Sequence, residues 1–134
     1  MAAETYYLIS SVVSSLSAVV AVVALVYSNR YMIKQSKEMF FAEYTKRYQD
    51  IILNMPNTDD DEAQVQKYMR LYFDLCSEEY HLYKRGRIPS DVWELWEDGM
   101  RLSVRRERYM RAWEQLKNEY KTNTDFLRFM VGLQ

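Results

Sequence analysis

YYLISSVVSSLSAVVAVVALVY, residues 6–27, holds no charged residue, no Pro and no Gly. A helix rises about 1.5 Å per residue and the hydrocarbon core of a bilayer is about 30 Å thick, so roughly 20 apolar residues span it. The stretch meets that length. Tyr6, Tyr7 and Tyr27 stand at its ends, where interfacial aromatic belts sit. A cleaved signal peptide needs a positive leading segment, a shorter apolar core and a small-residue cleavage site. Here the leader Met1-Ala2-Ala3-Glu4 is acidic, and no Ala-x-Ala follows the apolar run. The expectation is a transmembrane anchor over residues 1–28.

Charge gives the anchor a direction. Arg30, Lys34 and Lys37 follow the apolar run, with Lys46 and Arg47 a little later, and only Glu4 precedes it. Lys and Arg are retained on the cytoplasmic side. The expected placement is a single pass through a bacterial inner (plasma) membrane, with the N-terminus outside and the C-terminal part cytoplasmic.

The run is not uniformly apolar in size. Ser10, Ser14, Ser17, Ala21 and Ala24 recur at spacings of three and four, which places them on one helix face. Small faces let helices approach closely, and Ser hydroxyls bond across such contacts. Val12, Val19, Val22, Val23 and Val26 suit lipid on the other side. The competing reading is a lone anchor in which each Ser bonds back to its own helix.

The chain has 134 residues and a net charge of −1, which gives no global bias towards nucleic acid. Three Gly and two Pro are too few for a turn-rich β fold. A single Cys, Cys76, excludes an internal disulfide and fits a reducing compartment. It reads as a small core residue rather than a nucleophile. Residues 59–98 are rich in Asp and Glu, and residues 99–134 are rich in Arg and Lys. Two elements that pack antiparallel and neutralise one another would produce that asymmetry, as register rather than stability.

Beyond the anchor the periodicity is helical throughout, and the expected fold is all-α: one transmembrane helix continuing into a small antiparallel cytoplasmic helical bundle. Ile33, Phe40, Tyr44, Tyr48, Ile51 and Met55 recur every three, four or seven residues. They predict a juxtamembrane stalk helix over residues 29–55, nearly continuous with the anchor. At about 1.5 Å per residue, residues 5–55 would extend roughly 75 Å. Pro56 stops it. Residues 56–134 form the cytoplasmic helical domain. Its second helix is expected to start at Thr58 as cap and end near Arg85 before Gly86. Its inner stripe is read as Val65, Tyr68, Met69, Tyr72, Leu75, Cys76, Tyr80 and Tyr83. Ser90 caps a third helix with Val92, Trp93, Trp96 and Met100 inward, and Gly99 marks close backbone approach or a bend. Ser103 opens a fourth helix with Tyr109, Met110, Trp113, Leu116 and Tyr120 inward. Thr122 and Asp125 form a capping box for a last short helix.

Chemical candidates are few. Glu78-x-x-His81 has the spacing of a di-iron half-site, but such a site needs a second pair, and His81 is the chain's one histidine. No Gly-rich phosphate loop is present. No cofactor, metal or catalytic set is expected, and the chain is read as a non-enzyme. The densest basic run is Arg101, Arg105, Arg106, Arg108 and Arg111, with Arg101, Arg105 and Arg108 read on one helix face. It suits pairing with the acidic helices of the domain or of a partner. Anionic lipid headgroups are the next reading, and nucleic acid is disfavoured by the overall charge.

Residues 72–88, YFDLCSEEYHLYKRGRI, with Trp93 and Trp96 after them, resemble a family of small bacterial proteins with one N-terminal membrane helix and a helical cytoplasmic domain of unknown function. The likeness covers roughly residues 40–120 and implies the same fold. It supplies no catalytic residues. Together these features lead to the expectation of an accessory or assembly subunit of a membrane protein complex, or a homo-oligomeric scaffold, whose partners are other membrane subunits or itself and the bilayer. An oligomeric effector with a Ser-lined pore and a membrane-anchored regulatory sensor are the alternatives.

Overall fold

The structure is a computed structural model. It describes residues 2–134, with the side chains of residues 5–7 and 13–134. Among the described residues it is all-helical. The order is α1 Ala2–Asn54, α2 Glu62–Lys84, α3 Ser90–Val104, α4 Glu107–Leu116, a 3₁₀ turn Lys117–Tyr120, and α5 Thr124–Leu133. The chain divides into two compact units, Met1–Met39 and Phe40–Gln134, and α1 contributes to both.

In the first unit α1 is long and apolar enough to cross a membrane, and none of the side chains in its most apolar stretch is buried. Val19, Val20, Val22 and Val23 are each about three-fifths exposed. The absence of Gly and Pro from residues 6–27 keeps the backbone ladder unbroken. α1 runs without a break through Ser28, Asn29 and Arg30.

The second unit is a bundle built on α2. The last turns of α1 bury Tyr44 and Ile51 in it, with Met55 just beyond the helix end. Asn54 Nδ2 closes that end by donating to Asp50 O at 2.7 Å. α2 buries Val65, Met69, Tyr72, Phe73, Leu75, Cys76 and Glu79. Its start is Asp61 rather than Thr58: the Asp61 carboxylate accepts from Gln64 N at 3.1 Å, leaving Thr58 in the connecting loop. Its end is as expected, with Gly86 at φ +68, a left-handed conformation that glycine adopts without strain.

α3 begins at Ser90 with Pro89 at the cap position, so Ser90 is helical and does not cap. α3 also runs through Gly99 to Val104. A Cβ at Gly99 would meet nothing within 4 Å, so no close backbone approach explains that glycine. Ser103 is buried inside α3 instead of opening α4, which begins at Glu107. Tyr109, Trp113, Leu116 and Tyr120 are buried as read from sequence, whereas Met110 lies outside and Ala112 joins the core. α5 is capped by Asn123, whose side chain accepts from Phe126 N, in place of Thr122.

Aromatic rings fill the centre of this unit. Phe126 is fully buried among Tyr80, Trp113, Tyr120 and Phe129. Tyr83 stacks on Trp93 with centroids 4.6 Å apart, and Tyr80 on Phe129 at 4.7 Å. A bundle this small has a thin core, and large rings bury the most area per residue.

Candidate functional site

The polar side of α2 is an anchoring edge. Arg70 holds Glu119 bidentately at 2.7 and 2.8 Å. One turn on, Asp74 accepts from the Tyr120 hydroxyl at 2.6 Å. Ser77 accepts from Asn123 Nδ2, and His81 Nε2 faces Asn123 Oδ1, both at 3.0 Å. Glu78 turns to α1, accepting from the Tyr44 hydroxyl at 2.7 Å and Arg47 at 2.8 Å. The Arg47 hydrogen bond, and then that of Tyr44, holds Glu78 below the usual carboxylate range. Burial, and then the same hydrogen bond, pushes the Tyr44 phenol far up.

The neighbouring carboxyl differs. Glu79 is only 7% exposed and no described residue hydrogen-bonds it. It lines a half-open cleft of about 190 Å³. Tyr44, Thr45 and Tyr48 of α1 form one wall, Tyr72, Leu75 and Cys76 of α2 the floor, and Leu95, Trp96, Gly99 and Met100 of α3 the other wall. The Tyr44 and Trp96 rings are 5.4 Å apart, and the Tyr48 and Tyr72 rings 6.4 Å. Burial pushes the Glu79 carboxyl up to about 8; Arg47 works against that shift and Glu78 adds to it. At neutral pH the group is therefore mostly a carboxylic acid, able to donate or accept one hydrogen bond and to ionise when a cation arrives. Cys76 sits beneath it as a fully buried free thiol whose ionisation burial opposes. A buried, protonated thiol is a weak nucleophile.

Glu79 was not singled out from sequence, because Glu78-Glu79 reads as a pair of solvated helix-surface glutamates. The spacing carried a signal: Glu79 falls seven residues after Tyr72, four after Leu75 and three after Cys76, on the apolar stripe.

The basic run is taken apart by the break between α3 and α4. Arg101 lies on α3, Arg108 and Arg111 on α4, and Arg105 and Arg106 in the connection, so Arg101, Arg105 and Arg108 do not share a helix face. Arg101 pairs with Glu97 at 2.8 Å and reaches Gly132 O. Arg108 donates to Pro56 O at 2.5 Å, and its Nε lies 2.9 Å from Asp59 at an angle too sharp for a hydrogen bond. Arg111 meets the other Asp59 oxygen at 2.9 Å. These contacts tie α4 to the loop before α2. Arg105 and Arg106 are exposed. The acidic-to-basic pairing expected across the domain holds at Asp59 and is reversed at Arg70 and Glu119.

On α1, Ser14, Ser17, Ala21 and Ala24 are exposed, and the Ser10 side chain lies outside the described residues. The Ser17 hydroxyl donates to Val13 O at 2.9 Å, within its own helix. Among the described residues no group of three His, Cys, Asp or Glu is placed to hold a metal ion.

Comparison with protein-family models, curated proteins and solved structures finds no match.

Proposed function

We propose that this chain is a non-enzymatic, single-pass membrane protein whose helical domain serves as an accessory or assembly subunit of a membrane complex, or as a homo-oligomeric scaffold. The observation that carries this reading is the exposed apolar stretch of α1 from Val13 to Tyr27. A run of bare Val and Leu is unfavourable in water and favourable in hydrocarbon. The basic residues after it and the single Glu4 before it support an N-terminus outside and a cytoplasmic domain, in a bacterial inner membrane.

A packing role is supported by the face of Ser14, Ser17, Ala21 and Ala24, where small side chains let a second helix approach. Because Ser17 satisfies its hydroxyl within α1, its contribution there is small size rather than a cross-helix hydrogen bond. The polar groups of the domain mostly bind its own helices together, which supports a structural rather than a catalytic role.

Purification of the full chain in mild detergent tests the reading. The expected result is a stoichiometric complex, with other membrane subunits or with itself, that Ala21→Leu dissociates. A clean monomer, unaltered by that substitution, would overturn it. A reporter fused after Gln134 is expected to report the cytoplasm, and a signal from the other side would reverse the orientation.

A further inference from the structure

We propose that the cleft lined by α1, α2 and α3 binds a small organic ammonium ion, with Glu79 as counter-ion and the Tyr44–Trp96 and Tyr48–Tyr72 ring pairs as walls. The inference holds whether or not α1 crosses a bilayer.

Three observations converge on that ligand. The first is the unmatched carboxyl. Burying a polar group without a hydrogen bond is unfavourable; the structure leaves the adjacent Glu78 exposed and gives it two partners. At Glu79 it supplies none and leaves open space instead. Arg47 and Glu78 cancel one another, so Glu79 is the unmatched charge beside the cleft once it ionises.

The second is the lining. No Lys, Arg or His faces the cleft, so an anion finds no donor cluster there. Four aromatic rings do face it, and the negative face of a π system attracts cations. A neutral apolar guest would fill the space but leave Glu79 unpaired. A metal ion needs several hard ligands, and the lining offers one carboxyl.

The third is size. The cleft measures about 190 Å³, against roughly 150 Å³ for a cavity that accepts benzene. That admits an alkylammonium or choline-sized ion. Gly99 keeps the mouth open, since its missing Cβ would stand in empty space at the rim.

Cation binding draws on the ionised carboxylate, so affinity is coupled to pH. The groups facing Glu79 are Tyr44, Arg47 and Tyr48 from α1 and Tyr72, Cys76 and Glu78 from α2; α3 lines the cleft without a titratable side chain. Tyr44, Tyr72 and Cys76 are pushed up, away from the neutral range, mainly by burial. Affinity therefore rises about tenfold per pH unit below the Glu79 midpoint and levels off above it.

The test uses the full chain in a maltoside detergent, which carries no ammonium group. Choline, ethylammonium and the uncharged choline isostere 3,3-dimethylbutan-1-ol are titrated by calorimetry and tryptophan fluorescence. Saturable binding of at least one ammonium is expected, with the isostere weaker by about tenfold or more. Glu79→Gln should weaken the ammonium by a similar factor and abolish its pH dependence. Gly99→Leu should block binding while the unfolding temperature holds or rises, since Leu favours helix over Gly. Glycerophosphocholine binding as tightly as choline assigns the ion to a lipid headgroup, and weaker binding assigns it to a free amine. No saturation below about 10 mM for either ammonium, equal binding of the isostere, or unchanged binding by Glu79→Gln would each overturn the proposal.

Discussion

Val22 in α1 is 62% exposed, and Val104 in α3 is 1% exposed. The two side chains are chemically identical, and each is typical of its region. Residues 13–30 expose every side chain, whereas residues 40–134 enclose a continuous core of rings and aliphatic groups. Fully burying a Val or Leu is worth about 1.5–3 kcal/mol relative to water. Residues 13–30 forgo this gain at every apolar position. The bundle makes its own apolar interior instead, from aromatic rings packed among a larger number of aliphatic and Met side chains.

The sharpest way to break this contrast is to damage one region and ask whether the other notices. Phe126→Ala removes the ring at the centre of the bundle and is expected to cost about 3–5 kcal/mol. The near-ultraviolet signal of the tryptophans should melt far earlier, while the chain stays with the membrane fraction. An unchanged melt would mean that the aromatic cluster does not hold the bundle.

Val20→Arg places a charge in the exposed apolar stretch, worth about 2.5–3.5 kcal/mol against insertion at the helix centre. Alkaline extraction should then release the chain, with the bundle's tryptophan signature intact. Retention in the membrane pellet would remove the ground for reading α1 as an anchor.

Glu79→Gln sharpens the comparison inside the bundle. The carboxyl is raised from 4.5 to about 8 in the folded chain. Between these values the unfolded chain has lost a proton that the folded chain still holds, so stability falls as pH rises through the window. It is undiminished below the lower value and lowest above the upper one. The Gln variant lacks that slope. It should melt with the wild type at pH about 4 and be the more stable, by up to about 5 kcal/mol, at pH about 9. Parallel pH profiles in thermal scans would show that Glu79 is solvated in the folded chain.

Much of this architecture was legible in residue order. The apolar run, the stop at Pro56, the turn at Gly86 and the stripe Val65, Met69, Tyr72, Leu75 and Cys76 follow from periodicity and turn chemistry. The caps were less legible, because Thr58 and Asp61, or Thr122 and Asn123, are all acceptable acceptors, and only the path of the loop selects one. The boundary between α3 and α4 was misplaced for a related reason: Ser103 is a good cap by type, yet it packs in the core. The break after Val104 leaves Arg101 on α3 and Arg108 on α4.

The sequence by itself determined the all-helical fold, the exposed apolar helix and most of the core, because these depend on local periodicity and on the transfer of side chains from water. Tertiary structure alone decided that Glu78 is fully partnered and Glu79 is not. Adjacent residues on a helix point about 100° apart, and only the packing of α1 and α3 against α2 gave one glutamate the Tyr44 hydroxyl and Arg47 and left the other facing a cleft of aromatic rings.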